Sequence, residues 1–213
     1  MAWRRSGWFG LLALGLLAFW ALLAGPSILM GFDLGKAGTA SLVLVAWAAL
    51  YGISRMPQGE AEQGLSPGEW RAWIGVAFMV ASTGYFLVHA DVFAAAPWRE
   101  NPDAAAVGRN LVLLLVAWSV LSGVLGARWK GRVQEDERDR EIEKQAAGWG
   151  RGALIACLAG LALMLAFSPA DRLAWATHFM VANLLVFALM WGWLCEYMAT
   201  ALLYWRDRRE VRA

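Results

Sequence analysis

Six apolar runs, each bounded by charged or turn-forming residues, occupy most of the sequence, at about 8–30, 37–54, 70–90, 106–129, 150–167 and 172–205. A helix rises about 1.5 Å per residue and the hydrocarbon core of a bilayer is about 30 Å thick, so roughly 20 apolar residues span it. In hydrocarbon, every backbone N–H and C=O must be satisfied within the segment, which a helix achieves and an open strand does not. The expected fold is therefore all-α, a polytopic membrane helical bundle of about six transmembrane helices in three hairpins.

Composition agrees, with 60% hydrophobic residues, 17% charged and a mean hydropathy of +0.47. Fourteen tryptophans exceed what a small core needs, and many sit at the edges of the apolar runs, where amphipathic rings settle at headgroup level. The first run, with Arg4 and Arg5 before it, has the charge pattern of a signal peptide. Its length and the weakness of the small-residue site at 21–25 favour a retained first helix that Pro26 kinks or ends.

The chain divides into an N-terminal hairpin (1–56), a Gly-, Pro- and acid-rich loop (57–69) and a four-helix core (70–213) that includes a charged helix at 133–150. Ser66, Pro67 and Glu69 suit the cap, first and third positions of the third helix. Lys and Arg decide orientation because they are retained on the cytoplasmic side. Fifteen lie on the side of both termini, and four (Lys36, Arg99, Arg109 and Arg172) on the other. Both termini and the charged helix are thus expected in the cytosol. Each hairpin opens near Trp and Arg (AWRRSGW, EWRAW, GWGRG), which interfacial anchoring explains as well as duplication does.

A net charge of +2 without a basic stripe gives no support to nucleic-acid binding. Cys157 and Cys195 lie in apolar runs without CxxC spacing and read as packing residues. No phosphate-binding glycine loop, nucleophile elbow or HExxH motif is present, so no catalytic residue and no cofactor are indicated.

The charged block at 134–152, QEDERDREIEKQAAGWGRG, reads as a helix that continues into the fifth span. Asp136 precedes Arg140 by four residues, while Glu137 to Arg140 and Glu141 to Lys144 are separated by three, each pair contributing a few tenths of a kcal/mol. Ile142, Ala146 and Trp149 share a face, and Gly148, Gly150 and Gly152 offer close packing or a hinge. Residues 172–205 would form about 50 Å of helix, longer than the hydrocarbon, so the last helix must tilt or project. If the last two helices turn about Ala170, facing residues sum to roughly 340, setting Lys144 against Glu196 and Asp136 against Arg206. The competing expectation is a solvated charged face whose pairs contribute almost nothing.

Other candidates are fewer. Glu196 is interfacial if the last helix projects, and a functional acid if it lies deep in hydrocarbon. His89 and His178 fall at similar depth and, with Asp91, could bind a metal or, as a pair, haem. Interfacial hydrogen bonding is the simpler role. Asp136, Asp139 and Glu143 share a helix face that could hold a divalent ion, although Arg140 and Lys144 stand close enough to neutralise it.

The segment DERDREIEKQA (136–146), an apolar helix, then His178 opening a last helix with Glu196 and the ending LYWRDRR, resembles a family of small bacterial and archaeal multi-pass membrane proteins of unknown function with a cytosolic DERD-x-x-I segment. The match covers about 134–209. Gln145 before the alanine pair and Trp205-Arg206-Asp207 at the end depart from that pattern. The resemblance implies no known activity, and it marks Asp136, Glu137, Arg138, Asp139, His178 and Glu196; the expected location is a bacterial inner membrane. The expected role is non-enzymatic, a regulatory or scaffolding protein whose charged hairpin, with Lys144 and Arg206, meets a cytosolic partner or builds a homo-oligomer in the lipid bilayer. The alternatives are a small transporter or channel lined by Glu196, Asn183, Ser119 and Ser122, and a metal or haem protein using His89 and His178.

Overall fold

The computed structural model describes residues 2–24, 28–29, 32–54, 67–94, 101–129 and 137–210. In chain order the elements are α1 (Ala2–Ala24), β1 (Ile28–Leu29), β2 (Phe32–Asp33), α2 (Leu34–Ser54), α3 (Pro67–Val88), α4 (Ala90–Ala94), α5 (Pro102–Trp129), α6 (Glu137–Phe167), a 3-10 turn (Ala170–Leu173) and α7 (His178–Glu210). The architecture is the all-α bundle the apolar runs imply. Five helices, α2, α3, α5, α6 and α7, are long and apolar enough to cross a membrane, and α1 carries a shorter apolar stretch at Phe9–Ala24.

Helix starts fall where a side chain can accept from the first unpaired N–H groups. Asp33 Oδ1 accepts from the Lys36 N–H at 3.0 Å and caps α2. Asn101 Oδ1 accepts from the N–H groups of Asp103 and Ala104, both at 3.1 Å, ahead of Pro102 at the first position of α5. Its amide also donates to the Val92 carbonyl at 3.2 Å, tying α4 to α5. Thr177 Oγ1 accepts from the Met180 N–H at 3.1 Å and caps α7. A short antiparallel ladder, Ile28 with Asp33 and Leu29 with Phe32, reverses the chain between α1 and α2. Two-residue strands carry no periodicity, so the sequence does not announce them.

The helices pack in a chain of neighbours: α1 on α2, α2 on α5 and α3, α3 on α7, and α7 on α6. The core is aromatic. Phe78 stacks on Trp118 at 4.7 Å, and the Trp118 indole N–H donates to the Tyr197 hydroxyl at 2.9 Å, joining α3, α5 and α7. Phe86 lies 5.7 Å from Phe93 and 4.9 Å from Phe187, closing the opposite half of the bundle. With lipid outside, such packing contributes contact and fixed geometry more than it removes area from water.

The charged block and the fifth span form one helix, α6, as its charge pairs and apolar run suggest. Its buried residues are Ile142, Ala146 and Gly150, at one-turn spacing against α7. Trp149, expected on that face, points away and is 70% exposed. The expected register is also corrected. The link from α6 to α7 contains the Ala170–Leu173 turn and a further bend before His178, so the hairpin centre lies beyond Ala170. Facing pairs consequently run about one turn further along α7: Asp139 meets Tyr204, Arg138 meets Asp207, and Gly150 meets Glu196.

Candidate functional site

At the end of the bundle that carries the charged block, the first turns of α3, the extension of α6 and the last turns of α7 converge. Their approach is set by two glycine notches. A Cβ at Gly68 would stand 2.5 Å from the Tyr204 hydroxyl, and one at Gly75 would stand 2.6 Å from the Tyr197 ring. The glycines are seven residues apart on α3 and the tyrosines seven apart on α7, so antiparallel helices seat both rings at once.

Three polar ties close the junction. The Tyr204 hydroxyl donates to Asp139 Oδ1 at 3.0 Å. The Arg138 guanidinium engages both carboxylate oxygens of Asp207, a two-point geometry that favours Arg over Lys. Arg208 reaches Glu69 Oε1 at 3.2 Å, and Glu69 is only 2% exposed. Beyond them, the Arg209 guanidinium lies 3.8 Å over the Trp205 ring.

Glu196 sits where α6 and α7 come closest. A Cβ on Gly150 would be 2.7 Å from Glu196 Cβ and 2.9 Å from the Gly192 carbonyl oxygen, so side-chain-free backbone is required there. The charged groups acting on Glu196 are Arg71 from α3 and Glu143 and Arg151 from α6. Lys144, its expected partner, is exposed and makes no ion pair among the described residues. Gln145 instead donates to the Glu141 carboxylate at 3.2 Å, the position assigned to Lys144 by sequence spacing. Asp136, the expected partner of Arg206, lies outside the described residues, and so does Ser66. The acidic trio including Asp136 is therefore represented by Asp139 and Glu143 alone, and Asp139 is held by Tyr204.

The remaining candidates point elsewhere. His89 is buried, with Nδ1 3.0 Å from the Tyr85 carbonyl oxygen and its ring 4.5 Å from the Tyr85 ring. His178 and Asp91 are exposed. Among the described residues, no group of three or more His, Cys, Asp and Glu side chains gathers as a metal site would require. Asn183, Ser119 and Ser122 each donate back to a carbonyl of their own helix, and Ser122 is also hydrogen-bonded to Tyr197 on α7. Cys157 and Cys195 are free thiols, half-buried.

The junction thus combines residues that sequence reading marked, Arg138, Asp139 and Glu196, with Glu69, read there only as a helix-start residue, and with Tyr204, Asp207 and Arg208, which it did not mark. The matched seven-residue spacings of Gly68 with Gly75 and Tyr197 with Tyr204 were the available signal. The junction braces a hairpin whose α6 holds Arg140, Glu141, Glu143 and Lys144 at the surface. No protein-family model, curated protein or solved structure matches the chain.

Proposed function

We propose that the chain is a multi-pass protein of a bacterial inner membrane, with both termini in the cytosol, that uses the α6–α7 hairpin to recruit or regulate a soluble protein. Membership in the DERD-type family belongs to the same proposal. The supporting observation is the division of charge along α6. Arg138 and Asp139 are tied across the hairpin to Asp207 and Tyr204, and the same stretch of α6 presents the charges of Arg140, Glu141, Glu143 and Lys144 at its surface. Ties across the hairpin stiffen it, and a stiff element loses little entropy on binding. The distribution of Lys and Arg supports the cytosolic placement.

The test is affinity purification of the full chain from membranes in mild detergent, with bound soluble proteins quantified. The reading expects a stoichiometric partner that is lost on Arg140→Glu with Glu143→Lys and kept on Ser119→Ala. Purification without such a partner, or a partner indifferent to the charge reversals, contradicts it.

A further inference from the structure

We infer that the bundle binds a phospholipid with a zwitterionic, ethanolamine-type headgroup, a phosphate joined to a primary ammonium, in a cleft between α3 and α6 at the end that carries the charged block. The inference does not rest on recruitment of a soluble protein. α7 packs on both α3 and α6, while α6 packs on no other helix among the described residues. Neighbouring helical residues point about 100° apart. Glu196 lies against Gly150 of α6 and Tyr197 against Gly75 of α3, so α6 and α3 stand apart across that angle with α7 as the floor. Thr200 and, two turns deeper, Trp193 fall within the angle, and both are half-buried.

Two arginines reach the cleft without contacting its carboxylates. Arg71, Phe78 and Tyr85 follow one another at seven-residue spacing along one side of α3, and Phe78 and Tyr85 meet Trp118 and Asn110 of α5. Arg71 is therefore turned into the bundle beside α7, and it is half-buried. It acts on Glu196, Tyr197 and Tyr204, while Arg151 and Glu143 of α6 act on the same Glu196. Yet no ion pair joins Arg71, Arg151, Glu143 or Glu196 to another side chain among the described residues. Opposite charges at the edge of a low-dielectric span attract strongly and close up where their backbones allow it. Here Gly150 pins Glu196 against α6 and Arg71 rides on α3, so the cleft holds the charges apart.

Charge and depth identify the occupant. A simple anion would suit the arginines and be repelled by the carboxylates, and a simple cation would meet the reverse. A molecule carrying phosphate and ammonium a few bonds apart satisfies both sets. Guanidinium groups present parallel N–H donors that match phosphate oxygens, and a primary ammonium brings three donors to Glu143 and Glu196. Trp70 and Trp73 flank Arg71, and Trp149, itself exposed, stands two residues before Arg151. The cleft thus opens where indole rings mark the headgroup level of a bilayer. Deeper in, half-buried Trp193 and Leu154 continue it as an apolar wall that an acyl chain can follow. Lipid supplies the charged group and the apolar part in one molecule.

The experiment is native mass spectrometry of the full chain in mild detergent, titrated with ethanolamine, choline and glycerol phospholipids of matched acyl chains. The ethanolamine lipid should be retained about tenfold more tightly than the anionic glycerol lipid. It should also exceed the choline lipid, whose quaternary ammonium donates no hydrogen bond. Arg71→Gln should remove the preference, and so should Glu143→Gln and Arg151→Gln, which change exposed positions and leave the packing intact. Lys36→Gln, at the other end of the bundle, should keep it. Glu143→Lys should turn the preference toward the glycerol lipid, a gain that misfolding does not imitate. Equal retention of all three lipids, a preference untouched by the Glu143 and Arg151 variants, or displacement of the lipid by an equal concentration of tail-free glycerophosphoethanolamine would overturn the inference.

Discussion

Arg208, in the last turn of α7, reaches the carboxylate of Glu69, in the first turn of α3, at 3.2 Å. Glu69 is almost wholly buried, and the pair fastens two helices that are far apart in sequence. Removing the cation leaves a buried carboxylate with less compensation, which costs more than a surface pair is worth. Arg208→Ala should lower stability by about 1–3 kcal/mol, a figure reduced from the fully buried case because Arg208 is itself about one-third exposed. Glu69→Gln should cost less. Denaturant unfolding in detergent micelles, comparing the two variants, checks the order.

The glycine notches permit a sharper test. Gly75→Ala places a methyl against the Tyr197 ring and should destabilise by about 1–3 kcal/mol, while Gly84→Ala, whose nearest neighbour would be Phe19 Cζ at 3.6 Å, should be tolerated. Adding Tyr197→Leu should recover part of the Gly75→Ala loss while removing the hydrogen bond from Trp118. Melting temperatures of the single and double variants measure the coupling.

How far these contacts were legible follows from which interactions have a local signature. Apolar length located the spans, and charge spacing identified the continuous helix from Glu137 to Phe167. Residue spacing on α6 also placed Ile142 and Ala146 inward. Register across the hairpin was not legible, because it depends on how many residues the link consumes, and the turn at Ala170–Leu173 with its following bend shifts every facing pair. The burial of Glu69 was hidden for a related reason: a glutamate at a helix start has a local capping role that accounts for it without tertiary contact. The apolar runs misplaced two helix starts: Asn101 and Thr177 cap helices that begin at Pro102 and His178, four residues before and six after the runs at 106 and 172.

Acid should weaken the cap of α2. The backbone N–H of Lys36 bonds to the Asp33 carboxylate and holds its pKa below the ordinary aspartate value, with the Lys36 ammonium and Arg109 adding to the effect and partial burial opposing it. A carboxylate with a depressed folded pKa contributes stability that is present above its unfolded pKa and lost as pH falls through the folded one. The window therefore opens near pH 4 and extends below it. Asp33→Ala should cost about 1 kcal/mol at neutral pH and flatten the stability profile below pH 4. Unfolding at a series of pH values for both proteins tests this.

The crossing of α6 and α7 should tolerate no side chain at Gly150. Gly150→Ala would set a methyl against Glu196 Cβ and the Gly192 carbonyl, forcing the helices apart at a cost of about 1–3 kcal/mol. Gly148→Ala, two residues away with open space around it, should be neutral or stabilising by about 0.5–1 kcal/mol through helix propensity. Paired unfolding measurements on these two variants separate close approach from the general effect of losing a glycine.

The charged block as one half of a braced hairpin is tested most directly by cross-linking paired cysteines in membranes with a short bifunctional thiol reagent, on a Cys157→Ser, Cys195→Ser background. Arg138→Cys with Asp207→Cys should be joined within one chain, because an arginine side chain spans the gap between those positions on α6 and α7 and the reagent replaces its length. Lys144→Cys with Glu196→Cys should not, since Glu196 lies against Gly150 more than one turn further along α6. Efficient cross-linking of 144 with 196 and none of 138 with 207 would contradict the hairpin described above.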